Sequence, residues 1–130
     1  MPHAIVEWTA NLDHEFDIAD LLNLIARKLR ASDGILPLGG IRVRAIRLTD
    51  YVIADGAEDD AFVNISLKIG AGRPPEFKRL FFGELFEEVT KFFHSIQERR
   101  FLALSMYVEE FDEQASYKKN NLHARFRKVD

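Results

Sequence analysis

Residues 62–69 read Phe-Val-Asn-Ile-Ser-Leu-Lys-Ile, a stretch in which apolar and polar side chains alternate. Successive side chains of a β-strand point to opposite sides. The pattern therefore predicts a strand with one buried face and one polar face. The apolar face comprises Val63, Ile65, Leu67 and Ile69, and the polar face comprises Asn64, Ser66 and Lys68.

The residues after this strand predict a turn, a helix and a second strand. Gly70-Ala71-Gly72 predicts the turn. Pro74 and Pro75 suit the first turn of a helix, because a backbone N–H there would have no acceptor within the helix. Residues 102–108 alternate again and predict a strand. The helix between them has an apolar stripe rich in phenylalanine: Phe77, Phe81, Leu85, Val89, Phe92 and Ile96, widened by Phe82, Phe86 and Phe93.

The first half of the chain has the same order of elements. His3 to Thr9 predict a strand, Asp17 is a suitable N-cap for a helix, and Ile41 to Thr49 predict a second strand. The apolar stripe of this helix is Ile18, Leu21, Leu22, Ile25 and Leu29.

Two β-α-β units therefore follow one another, and each has a crossover long enough to make its two strands parallel. We predict an α+β fold in a single domain, residues 1–130. The duplicated units, about residues 2–55 and 61–112, form a four-stranded mixed sheet with both helices on one face. Residues 113–130 form a C-terminal tail.

The sheet face without helices is expected to be half polar and half aromatic. We predict an oligomer that covers this face, and a face exposed to solvent is the alternative. Its members are Arg42, Arg44, Asn64, Ser66, Lys68 and Ser105, with Phe62, Phe101 and Tyr107 between them.

Composition excludes several classes of function. The chain has 130 residues, of which 47% are apolar and 30% charged, which argues against disorder. The formal net charge of −3 gives no basic field for nucleic acid or an anionic membrane, and no apolar run approaches the roughly 20 residues of a membrane span. Cysteine is absent, which excludes thiol chemistry and favours a cytoplasmic location. The four histidines are scattered without the spacing of a metal site.

Pro2 offers an unusual chemical group. Removal of Met1 before so small a residue would leave the proline ring nitrogen as a free secondary amine, which can act as a base if it is buried beside cations. Many chains begin Met-Pro without consequence, and this is the alternative interpretation. If Met1 stays, the Pro2 nitrogen is an amide and cannot serve as a base.

Three arginines have positions that suit anion binding. Arg42 and Arg44 lie two residues apart at a strand start, hence on one face, and arginine is well shaped for carboxylates. A solvated or ion-paired strand face is the alternative for this pair. Arg73 follows the Gly-Ala-Gly turn, where a third glycine of a dinucleotide site is missing and the two prolines remove backbone donors. We therefore predict a carboxylate-binding role for Arg73.

Motifs throughout the chain resemble those of the 5-carboxymethyl-2-hydroxymuconate isomerase family, a member of the tautomerase superfamily. The resemblance covers nearly the whole sequence. The segments that carry it are Pro2-His3, Ile5-Val6-Glu7, Asn11, Pro37-Leu38, Gly40-Ile41-Arg42, Arg44, Ala54-Asp55-Gly56, Ala61-Phe62-Val63, Leu67 to Arg73, Arg100, Leu102 to Ser105 and Lys119 to Ala124.

The resemblance implies a homotrimeric isomerase that needs no cofactor or metal and acts in aromatic compound catabolism, namely homoprotocatechuate degradation. Pro2 would be the general acid/base, Arg42 would be catalytic and bind substrate, and Arg73 would bind substrate carboxylates. The implied reaction converts a 2-hydroxymuconate-type dienol diacid into its 2-oxo-3-ene form. The alternatives are another superfamily tautomerase or hydratase acting on a different 2-oxo acid, and a non-catalytic trimeric binding domain.

Overall fold

The computed structural model describes residues 1–127. It contains the six predicted elements and four short 3₁₀ segments. The main elements are β1 (His3–Thr9), α1 (Ile18–Arg30), β2 (Arg42–Leu48), β3 (Ala61–Gly70), α2 (Pro75–Gln97) and β4 (Leu102–Phe111). The 3₁₀ segments are Ala10–Leu12, Leu38–Gly40, Glu113–Ala115 and Leu122–Phe126.

The four strands form one mixed sheet in the order β2-β1-β3-β4. β1 pairs parallel with β2, β3 pairs parallel with β4, and the two halves join where β1 runs antiparallel to β3. The predicted duplication of β-α-β units in a four-stranded mixed sheet is therefore confirmed.

Both helices cover one face of the sheet, as predicted. The alternate side chains of β3 that point to this face, from Ala61 to Ile69, are almost fully buried. Asp17 caps α1 by accepting a hydrogen bond from Ala19 N at 2.9 Å. The buried stripe of α2 runs through Phe93 rather than Phe92, since Phe93 is fully buried and Phe92 only partly buried.

The last strand is longer than the sequence predicted. It continues beyond Val108 to Phe111 because β3 supplies parallel partners as far as Gly70, which is in register with Phe111. The alternation of apolar residues stops at Glu109, so backbone pairing rather than side-chain pattern sets this end of the strand.

The other sheet face is uncovered in the single chain. Ile46 and Tyr107 on this face are 48% and 61% exposed. At one end of the face, register places Arg42, His3, Lys68 and Glu109 in a row across the four strands. Neither α-helix within residues 1–127 combines the length and the apolar composition of a membrane span.

Burial within α2 predicts a contrast between two leucines of that helix. We expect Leu85→Ala to lower the free energy of unfolding by about 2–5 kcal/mol, because Leu85 is fully buried and its truncation leaves a cavity. Leu80→Ala is the matched control, since Leu80 is half exposed, and its expected cost is below about 1 kcal/mol. Urea unfolding measures both, and equal losses would contradict the packing described.

Candidate functional site

Pro2 is buried at one end of the sheet, where it leads into the interior strand β1. Its carbonyl accepts a hydrogen bond from Arg42 N at 3.0 Å. Met1 packs so closely on the backbone of Gly40 that a Cβ there would lie 3.0 Å from Met1 Cγ. In the structure the Pro2 nitrogen is therefore a peptide nitrogen, and the residue before it fills space beside Gly40.

Arg42 follows the 3₁₀ segment that ends at Gly40 and begins β2. Its Nη1 donates to Gly39 O at 3.0 Å and to Ile41 O at 3.2 Å. These carbonyls orient the guanidinium without neutralising it, because none of the acceptors is a carboxylate.

Arg73 is held in a similar way by the turn after β3. Its Nη1 donates to Gly70 O at 2.8 Å, and its Nη2 donates to Ile35 O at 3.3 Å. The buried Nε has no hydrogen-bond partner among residues 1–127. The guanidinium therefore has an unused donor.

Arg42 and Arg73 both act electrostatically on the amino group of Met1. Burial lowers the pKa of the Met1 amino group, and Lys118, Arg73 and Arg42 lower it further, while Glu113 acts in the opposite direction. The structure therefore brings Arg42, Arg73 and the first two residues into one electrostatic neighbourhood. The catalytic and substrate-binding roles of Pro2, Arg42 and Arg73 stay predictions.

His3 and Arg44 form a contact on the uncovered sheet face. Arg44 Nη1 lies 3.0 Å from His3 Nδ1, and since arginine only donates, Nδ1 is the acceptor and the ring proton lies on Nε2. Burial, followed by the charges of Arg44 and Arg42, lowers the pKa of His3. Arg44 therefore orients a neutral imidazole beside the N-terminus.

The C-terminal tail contributes residues that sequence reasoning did not assign to the site. Glu113 accepts from Lys118 Nζ at 2.7 Å, and its carboxylate occupies the space where a Cβ on Gly70 would stand. The ion pair with Lys118 lowers the pKa of the Glu113 carboxyl. No pattern in the sequence indicated that Glu113 and Lys118 belong to the site. The contact that brings them there joins Glu113 to Gly70, which is far away in the chain.

Asn120 ties the tail to the N-terminus. Its Nδ2 donates to Gly39 O at 2.8 Å and to Met1 Sδ at 3.3 Å, and its Oδ1 accepts from Leu122 N at 2.8 Å. The Asn120-Asn121 pair was part of the sequence resemblance, and this contact gives the first asparagine a physical role.

Arg100, also part of the resemblance, lies at the opposite end of the sheet from Pro2. It donates to Asn11 O at 3.1 Å and to Asp59 O at 2.7 Å, so it fastens the acidic turn beside the start of β3. Within residues 1–127, no group of His, Asp and Glu side chains is arranged to hold a metal ion.

Comparisons with known proteins agree with the resemblance. The family model for 5-carboxymethyl-2-hydroxymuconate isomerase matches residues 2–126. A 5-carboxymethyl-2-hydroxymuconate Delta-isomerase from Escherichia coli is 41% identical over 127 residues, covering 98% of this chain and all of the relative.

Solved structures give the same result. The crystal structure of a 5-carboxymethyl-2-hydroxymuconate isomerase from Deinococcus radiodurans R1 has a TM-score of 0.92 and 45% identity, covering 98% of this chain and 95% of that one. A fused 4-OT wild-type symmetric trimer has a TM-score of 0.52 and 20% identity, covering 90% and 93%, and shares the tautomerase-superfamily fold. The chain therefore belongs to the 5-carboxymethyl-2-hydroxymuconate isomerase family and is an isomerase.

Proposed function

We propose that this isomerase ketonises 5-carboxymethyl-2-hydroxymuconate, a 2-hydroxymuconate-type dienol, to its 2-oxo-3-ene form, in homoprotocatechuate degradation in the cytoplasm. The substrate is the one that the Escherichia coli relative is named for. The observation that carries the proposal is the cationic environment of the buried Pro2. Arg42 and Arg73 both act on the amine at the chain start, and their guanidinium groups donate to carbonyls and to no carboxylate within residues 1–127.

The reaction transfers one proton from oxygen to carbon and shifts the double bonds, with no atom gained or lost. After removal of Met1, the Pro2 amine accepts the proton of the substrate 2-hydroxyl and delivers a proton to a carbon further along the conjugated chain. A single base serves both steps if it lies over the plane of the diene. The environment that lowers the pKa of the Met1 amine also favours a neutral Pro2 amine.

The two arginines bind and stabilise charge. Their guanidinium groups hold substrate carboxylates, and Arg42 also stabilises the negative charge that develops on the 2-oxygen. Because backbone carbonyls already orient both groups, little reorganisation is needed when charge develops.

We also propose that three copies, each a single domain, assemble as a homotrimer through the uncovered sheet face. Partly exposed apolar side chains such as Ile46 and Tyr107 support this, since such a surface is stabilised when a second copy removes it from water. The superfamily relative that forms a symmetric trimer shares the fold.

Removal of Met1 provides a direct test of the proposed base. We expect protein released from a cleavable fusion with Pro2 as its first residue to ketonise the dienol. The same protein retaining Met1 should be at least about 100-fold slower, because its Pro2 nitrogen is an amide. Intact mass identifies each form, and ultraviolet absorbance follows the diene. Equal rates would show that Pro2 is not the base, and inactivity of both forms would favour another superfamily reaction or a binding domain.

The pH dependence of kcat/KM gives a second test. Only the neutral amine is a base, so kcat/KM should fall as pH decreases through the amine pKa. The midpoint should lie below the value of about 8 that is usual for exposed terminal amines, and Arg73→Gln should raise it by removing a nearby cation. A profile from about pH 5 to about pH 9 measures both. A midpoint unmoved by Arg73→Gln would contradict the electrostatic argument.

Two arginines of β2 provide a matched comparison. We expect Arg42→Gln to lower kcat/KM about 10- to 100-fold, since a charged hydrogen bond contributes about 1.5–3 kcal/mol. Arg47→Gln should change it less than about twofold, because Arg47 pairs with Asp13 near the other end of the strand. Circular dichroism checks that both variants fold, and equal effects on steady-state kinetics would exclude a specific role for Arg42.

A further inference from the structure

A small cavity lies beside the N-terminus, between the sheet and the tail. Its volume is about 270 Å³, and its lining includes Met1, His3, Lys68, Phe111 and Lys118. This volume is close to the lower limit of small-molecule pockets and leaves ample room for one carboxylate arm. Because Met1 is part of the lining, removal of Met1 would join this cavity to the space around the Pro2 nitrogen.

The charged side chains that line the cavity are cationic. Within residues 1–127, the Lys68 ammonium group has no hydrogen-bond or ion-pair partner. Glu109 is in register with Lys68 on β4 but does not line the cavity. His3 next to Lys68 is held neutral, since its pKa is lowered. The cavity therefore presents positive charge with polar and apolar walls.

The tail places Lys118 at the same cavity. Its Nζ donates to Glu113 at 2.7 Å and lies 4.8 Å from the centre of the Phe111 ring. An ammonium group has three donors, so Lys118 can keep Glu113 and still donate to a ligand. Glu113 in turn fits against Gly70, which fixes where the ammonium lies.

We propose that Lys118 and Lys68 bind the carboxylate of the carboxymethyl arm, the substrate carboxylate that the muconate chain lacks, and thereby determine specificity. This assignment rests on the proposed function. It leaves Arg42 and Arg73 for the carboxylates of the main chain, because both guanidinium groups lie beside the N-terminus and outside the cavity lining.

Two substrates separate this assignment from the proposed function. 5-Carboxymethyl-2-hydroxymuconate carries the arm, and 2-hydroxymuconate has the same dienol without it. We expect Lys118→Met to lower kcat/KM for the first about tenfold more than for the second, mainly through KM. Lys68→Met should act in the same direction, and Lys118→Arg should restore most of the loss.

Lys119→Met is the matched control, since Lys119 carries the same charge at the next position in the chain and does not line the cavity. It should leave the ratio of the two kcat/KM values unchanged. Rates are measured on the alkaline plateau, so that a change in the amine pKa does not enter. Equal losses for both substrates in Lys118→Met and Lys68→Met would overturn the assignment alone. If unaltered protein beginning at Pro2 turned over neither compound, the proposed function would fail, and the assignment with it.

Discussion

The antiparallel pairing of β1 with β3 is the constraint on which the site depends. It joins the two β-α-β halves and places His3 opposite Lys68, near the end of β3. The turn that carries Arg73 therefore lies beside the chain start, while the parallel pairing of β1 with β2 brings Arg42 to the other side of it. A slip of one residue in either register would send alternate side chains to the wrong face of the sheet.

Cations outnumber carboxylates around this start: Lys118, Arg73 and Arg42 lower the pKa of the Met1 amine, and Glu113 acts in the opposite direction. Arg42 and Arg73 are oriented by backbone carbonyls, so their charges stay available to a ligand. Such an arrangement disfavours a protonated amine nearby and favours a bound polyanion, and the same charges produce both effects. The repulsion among the cations costs stability, and burial of the core on the opposite sheet face offsets that cost.

The tail completes the site through contacts with glycines. Asn120 bonds to the backbone at Gly39, and Glu113 fits over Gly70, where any side chain would collide with it. These glycines permit close approach of the tail, which is a different role from forming a turn. Lys118 is placed by Glu113, so a residue near the end of the chain lies next to the first one.

The sequence alone determined the elements, their order and the buried face of β3, because alternation and helical spacing are local properties of the chain. It also indicated Pro2, Arg42 and Arg73, partly through the residue types and partly through the family resemblance. Only the tertiary structure decided that β4 extends to Phe111, since pairing with a neighbouring strand set that end. Only the tertiary structure placed Lys118 beside the N-terminus, because a contact between the two ends of a chain leaves no periodic trace in either segment.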